Sequence, residues 1–211
     1  MSEIVLRDIR ADEYYALYKR MKLDFPLGEL APFFVIKRNL DKRVFAGYIM
    51  AGAEGDIGYA IVTAPEGMAY ALINYFAIYP EYRSQGCGSE FIRILLERYS
   101  DRTILLESED PAAKKSQPQC DVAARRIKFY ERLGFNILPT EKAAIFGVDM
   151  LIMANMRDEK GRISTQDEKG RISASGEKER ISARDTMHAL YLPSLGSKQW
   201  LRFIDVRDAK N

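Results

Sequence analysis

The residues best suited to holding an anion run Arg83-Ser84-Gln85-Gly86-Cys87-Gly88. Two glycines in three positions let the backbone approach a ligand closely, and a helical stripe of Phe91, Ile92, Leu95, Leu96 and Tyr99 follows at once. A helix that starts here presents backbone N–H groups with no partner inside it, and its dipole adds about half a positive charge at that end. A P-loop would need Lys and then Ser or Thr directly after the second glycine, whereas Gly88 is followed by Ser89-Glu90. A dinucleotide fingerprint would need a small residue where Phe91 stands. What remains is a strand ending at Tyr79-Pro80, a tight basic loop and a helix N-terminus, which suits a diphosphate.

Groups able to move protons are few. Tyr130 shares a helical face with Ala123 and Ile127, and a buried phenol needs a hydrogen-bond partner. Glu107, Glu109 and Asp110 end a short apolar strand; the alternative to a chemical role is that they are simply its solvated end. The two cysteines, Cys87 and Cys120, form no metal-binding or nucleophilic pattern with the single histidine, His188. No metal is expected.

These residues are positioned by a mixed set of elements. Ile4 to Ile9 alternates like a strand, Asp12 caps a helix carrying Tyr14, Tyr15, Leu17, Tyr18 and Met21, and Pro32 starts a second helix from Phe33 to Leu40. Strands are expected at Val44–Met50, Ile57–Val62 and Ala71–Tyr79, then, after the helix behind the anion loop, at Thr103–Leu106. A helix from about Asp121 to Leu133 ends at Gly134, and Phe135–Leu138 and Ile145–Met153 supply two more strands. The order describes an α+β sheet with helices on both faces.

Two segments together resemble a known family. Phe76-Ala77-Ile78-Tyr79-Pro80-Glu81-Tyr82-Arg83-Ser84-Gln85-Gly86-Cys87-Gly88 is similar to motif A of the GNAT superfamily of bacterial-type N-acetyltransferases, and Phe129-Tyr130-Glu131-Arg132-Leu133-Gly134-Phe135 is similar to its motif B. The resemblance implies the GNAT fold over residues 1–156, with a mixed, mostly antiparallel central sheet, and acetyl-CoA as cosubstrate. It places the cofactor along Phe76, Ala77 and Ile78 and on the loop Arg83, Ser84, Gln85, Gly86, Cys87, Gly88 and Ser89, with backbone N–H groups of Gln85 to Ser89 on the pyrophosphate. Cys87 then fills an any-residue position and direct transfer is the expected route. Tyr130 becomes the group that protonates the leaving thiolate. The glutamate that some members place early in the cofactor-binding strand is absent, since Leu72 stands there; Glu107 resembles the base of the ribosomal-protein N-acetyltransferases, with Glu109 or a bound water as substitutes. Ala123 and Arg126 stand where the family usually has Asn and Ala, so the acceptor, a small-molecule or peptide amine, is not legible. A non-catalytic acetyl-CoA-binding sensor or scaffold stays open as the alternative.

Composition narrows the setting. The 211 residues carry 32 Lys and Arg against 30 Asp and Glu, a net charge of +2 that gives no broad field for nucleic acid or a membrane surface. No long apolar run or signal-like start is present, so a cytoplasmic protein, monomer or homodimer, is expected. Beyond Met156 a nine-residue unit occurs three times, as EKGRISTQD, EKGRISASG and EKERISARD. Nine residues are two and a half helical turns, so Ile163, Ile172 and Ile181 would share no face. Residues 157–185 are therefore expected to be a mobile insert, and 186–211 a helix (Thr186 to Leu192) and strand (Trp200 to Val206) that pack back on the domain.

Overall fold

The computed structural model describes residues 4–26, 28–155 and 182–209. Alternating sequence at the start becomes a meander: β1 (Val5–Asp8), β2 (Phe45–Gly52), β3 (Gly55–Thr63) and β4 (Tyr70–Ile78) pair antiparallel in turn. β5 (Thr103–Glu109) then runs parallel to β4, and β8 (Val148–Asn155) pairs antiparallel on its other side. β7 (Thr140–Ile145) and β9 (Ile204–Asp208) complete the order β1-β2-β3-β4-β5-β8-β7-β9, and the two-residue β6 (Asn136–Ile137) adds to β8. This is the mixed, mostly antiparallel α+β sheet expected from the GNAT resemblance.

The sheet opens at one place. β4 pairs with β5 only from Tyr70↔Thr103 to Ile73↔Leu106. At that point β4 bulges: Ile73 faces Val62 and Tyr75 faces Ile61, which leaves Asn74 as the extra residue, its Oδ1 accepting from Thr63 Oγ1 at 2.6 Å. A bulge bends and twists its strand, so β4 leaves β5 here while β5 continues against β8 as far as Glu109↔Met150. The gap between them opens a cleft.

Helices cover both faces. α3 (Cys87–Arg98) and α4 (Gln117–Glu131) bury Phe91, Ile92, Leu95, Ile127 and Tyr130 against one face of β2 to β5. The other face carries α1 (Tyr14–Asp24) and α2 (Phe33–Asp41) over β2 and β3, and α5 (Ala183–Leu195) over β5, β7, β8 and β9. Each buried leucine or isoleucine contributes on the order of 2 kcal/mol. α2 and α5 meet through polar contacts: Asn39, fully buried, and Arg38 both donate to the Ser194 carbonyl, at 3.1 and 2.6 Å. Among the described residues, no helix is long and apolar enough to cross a membrane.

Several boundaries differ from the sequence expectation. α4 starts at Gln117 rather than Asp121, since Ser116 stays extended and Pro118 is harmless in a first turn. The single strand expected at Ile145–Met153 is a hairpin of β7 and β8, because Phe146-Gly147 turns the chain between Ile145 and Val148. α5 begins at Ala183, not Thr186: Ser182 accepts from the Asp185 N–H, and Asp208 receives both the Ser182 hydroxyl and the Ala183 N–H. The end of the third repeat is thus helix; its earlier part and the other two repeats lie outside the described residues. Trp200 to Phe203 lie in a 3-10 helix (Lys198–Phe203), not a strand, which brings residues three apart over one another.

Candidate functional site

The anion loop is built as a helix start. Ser84 and Gly86 both take positive φ, 61° and 84°, and Gly86 is the residue that precedes α3. A Cβ at Gly86 would meet nothing within 4 Å, but its backbone conformation is one that L-residues rarely adopt. The first internal helix bond runs from Glu90 to Gly86, at 3.1 Å, so the N–H groups of Cys87, Gly88 and Ser89 point out of the helix end. The side chains of Gln85 and Arg83 pin the loop. Gln85 donates to the Glu81 carbonyl at 2.7 Å. Arg83, expected beside the phosphates, donates from Nε to the Ile78 carbonyl at 2.8 Å and from Nη2 to Asp24 at 3.1 Å. Gly88 packs under α4, where a Cβ would lie 3.4 Å from the Phe129 ring. Cys87 is half-buried at the edge of the α3 core.

Beside the loop runs the open edge of β4. Tyr79 donates to the Ile57 carbonyl at 2.9 Å, and the register of β3 and β4 carries that orientation back to Ala77 and Tyr75. Phe76 and Ile78 therefore aim their backbone groups at the gap left by β5, the Ile78 carbonyl being taken by Arg83. Ala77, grouped with them from the sequence, turns its backbone to β3 and its side chain to the α1–α2 core. The Phe76 backbone edge, the Ile78 N–H and a helix N-terminus in line fit an extended amide chain that ends in a diphosphate.

The three acids at the end of β5 have three fates. Glu109 is neutralised by Lys114 and, at 3.3 Å, by Arg126. Asp110 accepts from the Ala112 N–H at 2.8 Å and so starts a 3-10 turn. Glu107 faces the cleft at the first position beyond the β4 pairing, and its only hydrogen bonds among the described residues come from Tyr191, 2.8 and 2.9 Å from its two oxygens. Burial is the main cause that pushes its carboxyl up to about 7; the Tyr191 bond opposes this and the charge of Glu29 adds to it. A carboxylate there holds and releases a proton near neutrality.

Tyr130 reaches the same cleft from α4, on the opposite face of the sheet. Its ring sits edge-on to Phe129 and Phe135, at 5.1 and 5.8 Å. Its hydroxyl has no hydrogen-bond partner among the described residues, although the side chain is 8% exposed. Burial pushes the phenol up to about 12, with Arg126 acting in the other direction, so it stays a donor at any working pH. Leu72, where the alternative base would stand, is buried in the α5 core.

The cleft holds about 590 Å³ and is lined by β4, β5, α4 and the segment between α1 and α2. Tyr75 fastens that segment, donating to the Glu29 carbonyl and accepting from the Ala31 N–H. Sequence reasoning missed Glu29, Asn39, Tyr75, Phe146 and Tyr191 as lining residues. Only the strand pattern around Tyr75 and the helix pattern around Tyr191 carried a local signal, and neither marks a cleft.

Residues 29–137, just over half of the chain, match the family described as acetyltransferase (GNAT) domain. Among solved structures, a protein from Bacteroides thetaiotaomicron assigned to the GNAT acetyltransferases is 19% identical, covers 89% of this chain and 96% of its own, and superposes with a TM-score of 0.66. The ribosomal-protein-S18-alanine N-acetyltransferase from Escherichia coli is also 19% identical, over 85% of this chain and 100% of its own, with a TM-score of 0.50. NAA60 from Arabidopsis thaliana, solved in complex with acetyl-CoA, is 14% identical over 72% of this chain and 97% of its own, with a TM-score of 0.54. At such identities the likeness is one of fold. No curated protein matches the sequence significantly.

Proposed function

The chain belongs to the GNAT acetyltransferase family, and we propose that it moves an acetyl group from acetyl-CoA directly to a primary amine, as a cytoplasmic enzyme with Glu107 as base and Tyr130 as donor to the leaving sulfur. The observation that carries this reading is that Glu107 and Tyr130, from opposite faces of the sheet, line one cleft where β4 and β5 part, next to the start of α3.

In this reading the backbone N–H groups of Cys87, Gly88 and Ser89 hold the diphosphate, and the Phe76 and Ile78 edges hold the amide arm. When bound, acetyl-CoA supplies a thioester whose carbonyl accepts the amine and whose sulfur departs. An alkylammonium has no free lone pair near neutrality, so Glu107 takes its proton before attack. With a carboxyl near 7, about half is in the basic form at neutral pH. The new C–N bond forms as the C–S bond breaks. Tyr130, at about 12, is too weak an acid to give its proton fully to a thiolate of pKa about 8.5. It stabilises the developing charge by a hydrogen bond, and the proton that ends on the thiol comes from the amine. Glu109 is unsuited to the base role because two cations already hold its charge.

A panel of primary amines offered with acetyl-CoA, with free thiol measured over time, tests the reading. Thiol release that depends on the amine and is lost in Glu107→Gln at pH 7 is expected. Tight cofactor binding without release for any amine would leave only a binding protein.

A further inference from the structure

Phe146 and Gly147 form the two-residue turn of the β7–β8 hairpin, both at positive φ, 50° and 83°. Glycine is unstrained there and a phenylalanine is not, and such turns are best served by Asn-Gly. The strain is not offset by burial, since Phe146 is 46% exposed. What it secures is the ring's place at the cleft. The Phe146 ring meets Tyr191 edge-on at 6.1 Å and stacks on Phe203 at 6.3 Å, and Phe203 stacks on Trp200 at 5.8 Å. The Phe146 N–H donates to the Phe203 carbonyl at 2.7 Å, which fixes the two rings together. A line of aromatic rings thus runs from the hydrogen-bond partner of Glu107 to the surface, with Trp200 and Phe203 43% and 38% exposed.

The inner end of that line is anionic. Four carboxylates line the cleft. Asp24 is bonded to Arg20 and Arg83, and Glu109 to Lys114 and Arg126. Glu107 is held only by a tyrosine hydroxyl, and the Glu29 carboxylate has no partner among the described residues. Two acids without a cation share the cleft with the Phe146 ring, the inner end of the aromatic line, and complement a molecule that is cationic at one end and flat and apolar at the other.

We propose that the acceptor is an arylalkylamine, its ammonium group between Glu29 and Glu107 and its ring against Phe146, which Phe203 backs. This narrows the acetyl-transfer reading and rests on it. Any cation would satisfy the carboxylates; the ring is what gains from the aromatic line, by offset or edge-on packing. Glu107 takes one ammonium proton and later returns it to solvent; as the C–N bond forms and the thioester C–S bond breaks, the nitrogen loses a second proton, which ends on the thiol.

Trp200 is the only tryptophan of the chain, so its fluorescence reports on the outer rings without any turnover. Phenethylamine, butylamine and 2-phenylethanol are titrated into the full chain with CoA for the emission, and thiol release from acetyl-CoA is followed in separate samples. Phenethylamine is expected to change the emission saturably, the uncharged alcohol far more weakly, and kcat/KM for phenethylamine to exceed that for butylamine by about tenfold or more. Phe146→Asn suits the turn and removes the ring; it should melt no lower than the parent chain and bring the two amines to within about threefold. Equal kcat/KM for both amines in the parent chain, or a preference that survives Phe146→Asn, overturns the proposal. So does an emission that follows protein concentration and a dimer that dissociates in Phe146→Asn, which would make the rings an interface between copies. Saturable phenethylamine binding that Phe146→Asn removes, with no thiol released from any amine, supports the pocket and sinks acetyl transfer. Release from butylamine with no response to phenethylamine does the reverse.

Discussion

The Tyr191 hydroxyl lies 2.8 and 2.9 Å from the two carboxylate oxygens of Glu107, joining residues 84 positions apart. A single proton serves both oxygens, and it stabilises the charged form. Removing it in Tyr191→Phe should raise the Glu107 pKa above about 7, by about one unit, on the scale of a hydrogen bond to a charged group. The acid limb of the kcat/KM profile then moves to higher pH, and the loss of rate is largest below the limb. A loss equal at every pH would show that Tyr191 only supports the fold.

That contact also shows why the site was only partly legible in the sequence. The loop from Arg83 to Gly88 and the helix around Tyr130 are local patterns, and glycine spacing and helical period reveal them. Glu107 was visible as an acid at a strand end, but its difference from Glu109 was not. That difference depends on Lys114, Arg126 and Tyr191 arriving from three other places. Likewise the early start of α5 depends on Asp208, and the splitting of β7 from β8 on two positive-φ residues in an otherwise strand-like run. Local propensity foresaw most of the elements; which polar groups would be left without a cation was decided by tertiary packing.

Glu107 should cost stability as pH rises. Its folded value is about 7 against 4.5 for the free group, so between those values the folded chain holds a proton that the unfolded chain has lost. Stability therefore falls as pH rises through this window, and below it no penalty remains. Glu107→Gln removes the penalty. It should stabilise the protein at about pH 8 by roughly 3 kcal/mol and change little at about pH 4. Denaturant melts at the two pH values check this; a gain at the lower pH alone would contradict the burial of an ionisable Glu107.

The left-handed Gly86 gives a separate test of the anion loop. Gly86→Ala places a Cβ in the open space before α3 and costs roughly 1–2 kcal/mol of strain. Acetyl-CoA affinity, measured by calorimetry, should fall at least about tenfold as the N–H groups lose their alignment. Ser84→Gly, which relieves a positive φ in the same loop, should leave the melting temperature equal or higher. If Gly86→Ala binds acetyl-CoA as tightly as the parent, the diphosphate is held elsewhere.

Tyr130→Phe separates chemistry from structure because its hydroxyl opens onto the cleft and has no partner among the described residues. A core tyrosine bonded to a carbonyl would lose about 1 kcal/mol or more when its oxygen is removed. Here no such bond exists to lose, while the ring contacts with Phe129 and Phe135 are retained by phenylalanine. The variant should melt at the same temperature or slightly higher. Its kcat should nevertheless fall roughly ten- to a thousand-fold, because the departing thiolate no longer receives a hydrogen bond. The KM for acetyl-CoA should change little, since the donor acts on charge that develops only as the C–S bond breaks. The deficit should also shrink with a thioester whose thiol is more acidic, as such a leaving group needs less help. Lower stability with unchanged kcat would make Tyr130 a packing residue and leave the sulfur to be served by water.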